Sequence, residues 1–351
     1  MAADIKIVHP LPETTPPLYR PDTLTICVLG DMMMHASQIQ NAHKGGDRYD
    51  FNSYFHLLKD RISSADISIA NMEFTLAGEP YTGYPSFSAP DSFGDYLASC
   101  GFDVFLTANN HILDKGSQGA ERTLELYKEL SKSHNLSFCG TASDQNSREA
   151  TTPLFLVCKG IRIALVNFTY GTNLGGDRHW PKVNYMNDKA LIENALKKAE
   201  DADFTLTLPH WGTEYCLLHS EEQEQTAKWL IERGTDMIIG THPHVPQDCD
   251  TISDVPVIYS LGNAVSNMSA ENTQVELMAT VRLARESNGD ITLLPTEFTY
   301  LWCSRPGGYS YSYTVLPIDE YIGKRHLWKG AWDYDKMIRS YENVRNTIGI
   351  E

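Results

Sequence analysis

Short apolar runs separated by amphipathic stretches dominate the chain from Leu24 to Leu283. Leu24–Leu29 reads as a strand broken by Gly30-Asp31, and Asp66–Ala70 as the next, ending at Asn71-Met72-Glu73. Ser53–Ser63 predicts a helix between them. A loop rich in Gly, Pro, Tyr and Ser runs from Gly78 to Pro90; its Tyr81, Tyr84 and Phe87 either line a mouth or pack the loop onto the core. The helix Asp91–Cys100 leads into the strand Asp103–Thr107, which runs into Ala108-Asn109-Asn110-His111. Ser117 is placed to N-cap a helix with the stripe Ala120, Leu124, Tyr127 and Leu130. Leu154–Val157 and Ile161–Phe168 flank Lys159-Gly160, a hairpin signal. The helix Asp188–Glu200 precedes the strand Asp203–Leu208, which stops at Pro209-His210-Trp211-Gly212. Ser220-Glu221-Glu222-Gln223 is a capping box for a helix to Arg233, which Gly234 terminates. Thr235–Ile239 is then a short buried strand before Gly240-Thr241-His242-Pro243-His244. Val257–Leu261, Val275–Leu283 and Ile291–Trp302 follow without intervening helices, so this last part of the core is expected to be antiparallel.

Residues 1–20 read as an extended N-terminal arm, 21–305 as one α/β domain, and 306–351 as a C-terminal extension packed on it, with a terminal helix. Four strands open with an aspartate after a helix: Asp66, Asp103, Asp203 and Asp236. Each ends a few residues later in polar side chains, and Leu24–Leu29 does the same at Asp31. Helix–strand alternation predicts parallel strands, whose carboxyl ends share an edge, and ligands bind at that edge.

Charge narrows the partners. Lys+Arg is 29 and Asp+Glu is 45, so the net charge is 29 − 45 = −16. That argues against a nucleic-acid backbone or an anionic membrane and leaves an anionic substrate needing a local cation. Seven cysteines, an odd number without a CxxC pair, argue against a disulfide framework or a thiolate zinc site. Met1–Arg20 is rich in proline without a continuous apolar run, which predicts a soluble, cytoplasmic chain with no direct membrane insertion, or an exported or anchored one if a leader is missing.

The polar clusters at the strand ends are Asp31, Glu73, Asn110, His111, His210, His242 and His244. Taken singly, each has a plainer reading: Asp31 can cap a turn, and Asn110 can bond loop backbone. Together they are an all-oxygen and nitrogen set, which suits Mn, Fe, Zn or Ni. Two carboxylates, one amide and three histidines suffice for two metals bridged by a carboxylate, a recurrent hydrolytic device. His111 is then left as a proton donor.

Gly30-Asp31, Asn71-x-Glu73, Ala108-Asn109-Asn110-His111, His210-Trp211-Gly212-Thr213-Glu214, Gly240–Gln247 and Tyr259-Ser260-Leu261-Gly262-Asn263 resemble the bacterial capsule-synthesis (CapA, poly-gamma-glutamate biosynthesis) family, within the calcineurin-like metallophosphoesterase superfamily. The resemblance implies a four-layer αββα sandwich with mixed sheets and one or two divalent ions, Mn, Zn or Fe. It implies that Asp31 and His244 hold the first metal, that Glu73 bridges, and that Asn110, His210 and His242 hold the second. His111 would be the general acid, and His35, Glu214, Tyr215, Gln247 and Asn263 would lie at the substrate. The superfamily opens Asp-x-His where this chain reads Asp31-Met32-Met33, so the first metal lacks a ligand and should bind more weakly. The implied activity is hydrolysis of a phosphoester or of a glutamyl or peptide amide, on an anionic small molecule or polymer. The alternatives are a non-catalytic capsule-polymer assembly or binding factor, and a peptide epimerase with His111 as base.

Overall fold

The computed structural model describes residues 6–7, 23–175 and 179–350. It is the expected four-layer sandwich, and its hydrophobic side chains show why. Ile26, Val28, Ile67 and Ile69 pack against Ile163, Leu165, Phe204 and Leu206 between two sheets. The alternate residues of the same strands face outward: Cys27, Leu29 and Ala70 meet Ile62, Phe93, Leu97 and Tyr127. On the other sheet, Val166, Phe168 and Ile238 meet Ile192, Ala195, Leu196 and Leu230. Strands covered on both faces favour near-continuous apolar runs, which Leu24–Leu29 and Ile161–Phe168 largely supply; Phe204–Leu208 instead has Thr205 and Thr207 at its alternate positions, and Thr207 Oγ1 lies 2.7 Å from Thr235 Oγ1.

One sheet has the order Thr314–Pro317, Glu297–Ser304, Val275–Arg285, Leu24–Met32, Ile67–Met72, Val104–Leu106, Ser137–Cys139, with Ile291–Leu293 also on Val275–Arg285. Its last four strands run parallel. The other has the order Lys6–Ile7, Leu154–Cys158, Ile161–Thr169, Phe204–His210, Met237–Ile239, Val255–Ile258, Cys249–Ile252. Four strands at its centre are parallel, from Ile161–Thr169 to Val255–Ile258.

The aspartates that open strands are register clamps. Asp66 accepts the Thr25 N–H at 2.8 Å, Asp103 that of Ser68 at 2.8 Å, Asp203 that of Arg162 at 2.8 Å, and Asp236 that of Thr205 at 2.7 Å. Each donates its own N–H back to the carbonyl of the same residue. Neighbouring parallel strands are thus tied at their starts, so their far ends finish at matched heights. Asp236→Ala should cost about 1–3 kcal/mol, because it orphans a buried-edge N–H. Asp236→Asn, which keeps an acceptor, should recover most of the loss in urea unfolding; equal losses would sink the clamp reading.

Several elements depart from expectation. Ser53–Ser63 is not one helix: successive turns lead to a short helix, Lys59–Ser64. Phe55 donates its N–H to the Tyr96 hydroxyl, which takes it out of a helical ladder. Gly116 opens the next helix with Lys115 at the cap position, so Ser117 lies inside it and caps nothing. Val255–Ile258 runs parallel to Met237–Ile239 rather than antiparallel. Ile291–Trp302 is interrupted at Pro295, which has no N–H for a ladder, though both pieces do pair antiparallel. Lys6–Ile7 pairs with Leu156–Val157; the rest of the arm lies outside the described residues. The C-terminal extension supplies an edge strand, Thr314–Pro317, and the helix Ala331–Ile348, whose Tyr334, Met337 and Val344 join the inter-sheet core. No helix among the described residues is long and apolar enough to cross a membrane.

Candidate metal centre

The strand ends do converge, but from two sheets rather than along the edge of one. Asp31, Glu73 and Asn110 come from the sheet that holds Leu24–Met32, Ile67–Met72 and Val104–Leu106. His210, His242 and His244 come from the sheet that holds Phe204–His210 and Met237–Ile239. All six side chains are buried.

Two glycines let the backbones close on this point. A Cβ on Gly30 would lie 1.9 Å from the Gly262 carbonyl oxygen, at the bulge that turns Asp31 into the site. A Cβ on Gly240 would lie 2.2 Å from the Tyr259 oxygen. The chain then passes through His242 at φ 105° and His244 at φ 62°. Non-glycine residues held there cost on the order of 1–3 kcal/mol each, and such strain concentrates at functional sites.

Glu73 is the centre of the site. Its carboxylate is fully buried, and neither oxygen has a hydrogen-bond partner in the protein. Oε1 lies 3.8 Å from His111 Nε2, 3.9 Å from His210 Nε2 and 3.8 Å from His244 Nε2. His242 Nδ1 is likewise buried without a partner. Two sets of donor atoms lie within 4.8 Å of one another, Glu73 with His242 and His244, and Asp31 with Glu73 and His210. Glu73 belongs to both, as a bridging carboxylate would. These sets group the histidines differently from the resemblance, setting His242 beside His244 and His210 beside Asp31.

Burial, then Asp31, pushes Glu73 well above the usual carboxylate range. Burial and the neighbouring histidines hold His210 and His242 well below the usual imidazole range. An acid that resists ionising and imidazoles that resist protonation both gain from a divalent cation, which satisfies acceptors and offsets carboxylate repulsion. The residues present therefore fit one or two such ions, held by Asp31, Glu73, Asn110, His210, His242 and His244.

Partners that the sequence did not single out fix these groups. Asn71 donates to Asp31 Oδ1 at 2.7 Å, and Asn109 Nδ2 reaches Asn71 Oδ1 at 3.3 Å. His210 Nδ1 lies 2.9 Å from Thr241 Oγ1, and its Nε2 lies 2.9 Å from Asn110 Oδ1. Asp114 Oδ2 lies 2.7 Å from His111 Nδ1 and so directs Nε2 into the site. Its spacing of three residues from His111 was the available signal. Glu276, from a strand distant in sequence, accepts the Gly30 N–H at 2.7 Å; nothing local announced it.

The expected substrate contacts divide. Tyr215 is exposed, its ring 6.2 Å from that of His244, and Glu214 is exposed beside it. Gln247 is buried and its amide is spent on structure: it donates to the Cys216 and Leu218 carbonyls and accepts from Gln223. Asn263 is also buried, with Oδ1 2.9 Å from His244 Nδ1, so it orients that imidazole rather than facing substrate. His35 lies against Phe87, with Nδ1 engaged by Gln38 and by the Asn267 N–H. Met33, where a further histidine ligand was expected, is a buried apolar side chain.

Comparison with known proteins bears on the family and the fold. The family described as Bacterial capsule synthesis protein PGA_cap matches residues 25–268. Over 289 residues the chain is 27% identical to a capsule biosynthesis protein CapA of Bacillus anthracis, covering 78% of this chain and 67% of that protein. It is 25% identical over 292 residues to a PGA biosynthesis protein CapA of Bacillus subtilis strain 168, covering 80% and 73%. Among solved structures, a 5'-nucleotidase precursor from Thermus thermophilus superposes with a TM-score of 0.50 at 12% identity, over 93% of this chain and 59% of that one. That likeness is one of fold: the chain shares the architecture of that nucleotidase. The family match, residues 25–268, takes in all six candidate ligands from Asp31 to His244, and the chain belongs to the bacterial capsule synthesis protein family, PGA_cap.

Proposed function

We propose that the protein is a metal-dependent hydrolase acting on a phosphoester or on a glutamyl or peptide amide. The observation that carries this reading is Glu73, fully buried with both oxygens unpartnered and three imidazole Nε2 atoms within 3.9 Å. Divalent ions bound there would lower the pKa of water and stabilise charge on the displaced group. The chain's own residues do the rest. Asp31 and Asn71 hold the bridge side of the site, and Asn263 and Thr241 aim His244 and His210. His111, braced by Asp114, presents Nε2 to deliver a proton to the leaving atom.

The second reading, a capsule-polymer binding factor without turnover, draws on Met33 standing where a ligand is expected. One experiment separates them. Metal-free protein is titrated with Mn²⁺ or Zn²⁺ and assayed on phosphoesters and γ-glutamyl amides. The hydrolase reading expects one tight step followed by a weaker one, because Met33 offers no hard donor, and turnover that rises with occupancy. Two equally tight steps would show that the shell is complete. Full occupancy without turnover on either class would favour the binding factor.

A further inference from the structure

The mouth of the metal centre is ringed by tyrosines whose exposure the fold does not require. Among the described residues only ten large hydrophobic side chains are exposed, and Tyr84, Tyr170 and Tyr215 are three of them, at 73%, 40% and 44%. Tyr170 and Tyr215 lie against the site's histidines, and Tyr84 reaches it through Phe87. The Tyr170 ring is 4.5 Å from His242 and stacks at 17° to His210. Tyr215 lies beside His244. Tyr84 packs on Phe87, whose ring is 4.7 Å from that of His111.

The three are held in place rather than left mobile. Tyr170 donates its N–H to the His210 carbonyl at 2.9 Å. Tyr215, at φ 66°, donates its N–H to the Pro243 carbonyl at 2.8 Å, inside the turn that carries both histidines. The Tyr84 loop is tied to Asp114, through Ser86 Oγ to its carbonyl and the Phe87 N–H to its carboxylate. Of the three only Tyr215 sits in strained backbone, and an exposed aromatic whose backbone is tied to the site stabilises nothing in the fold by its exposure. Its rigidity spares a ligand the cost of ordering it. Glu214 completes the rim, exposed beside Tyr215 in the same turn.

We propose that Tyr84, Tyr170, Tyr215 and Glu214 form a subsite for the non-reacting part of the substrate, and that this part is a polyhydroxylated ring, a saccharide, rather than a polycarboxylate chain. Phenol faces accept the apolar face of a pyranose. The Glu214 carboxylate accepts from its hydroxyls and repels a second row of carboxylates. The subsite rests on the hydrolase reading and narrows it to glycosyl phosphoesters.

The test measures binding, so it is independent of turnover. Calorimetry on metal-loaded protein compares a glucosyl phosphonate, methylphosphonate and an oligo-γ-glutamate. The first two are phosphoester analogues that differ by the ring. The ring should tighten binding about tenfold or more. Tyr215→Ala and Tyr84→Ala should abolish most of that gain and leave methylphosphonate unchanged, while Tyr215→Phe keeps it. Glu214→Gln should weaken glucosyl phosphonate and tighten oligo-γ-glutamate. Equal affinity for the two phosphonates, no binding of the glucosyl compound, or tightest binding of oligo-γ-glutamate would overturn the proposal. A ring-dependent affinity without any hydrolysis would leave the subsite standing and remove the hydrolase reading alone.

Discussion

His111→Ala is expected to lower turnover about 10²–10⁴-fold, the usual worth of general acid–base assistance, while leaving bound metal in place. His111 faces Glu73 across 3.8 Å, yet it belongs to neither set of clustered donor atoms. Its other nitrogen is held by Asp114 at 2.7 Å, an arrangement that orients a proton carrier rather than frees a ligand. His210→Ala should behave differently and lose metal as well as turnover, since His210 shares a donor set with Asp31 and Glu73. Asp114→Asn should cost less than either, about 10–100-fold, with metal retained. The measurement is metal content and turnover on the same preparations. A loss of less than about tenfold in metal-replete His111→Ala would remove its proton-transfer role.

Asp333→Ala is expected to destabilise the fold by about 3–5 kcal/mol, because it leaves three buried neutral donors without an acceptor. Asp333 is fully buried in the first turn of the C-terminal helix. Its Oδ2 accepts from Trp302 Nε1 and Trp328 Nε1, each at 3.1 Å, and from Ser304 Oγ at 2.6 Å. One carboxylate thereby ties the strand Glu297–Ser304, the segment at Trp328 and the helix together. Removing it strands three buried donors, each costing about 1–3 kcal/mol. Urea unfolding of Asp333→Ala against Asp333→Asn, which keeps an acceptor, checks this. A loss under about 1 kcal/mol would mean that the extension is held by apolar packing alone.

By itself the sequence determined which apolar runs become core strands and which residues close them. Leu24–Leu29 is apolar in both alternating phases apart from Thr25, whereas Phe204–Leu208 alternates with Thr205 and Thr207, so only the structure shows that both faces of that strand are covered. It also determined the donor chemistry, since Asp31, Glu73, Asn110 and three histidines follow strand ends in order. The opening aspartates were visible as a rhythm, but their bonds to the preceding parallel strand were not, because strand pairing is a property of the sheet. The tertiary structure decided that the clusters meet across two sheets, because no local pattern states which sheet a strand joins. It also decided the fates of Gln247 and Asn263. Both lie in motifs beside the histidines, yet burial assigns their amides to a loop and to His244. Glu276 and Asp333 show the same limit most plainly. Each is a carboxylate whose partners are distant in sequence or gathered from several segments, and only packing brings those donors within reach.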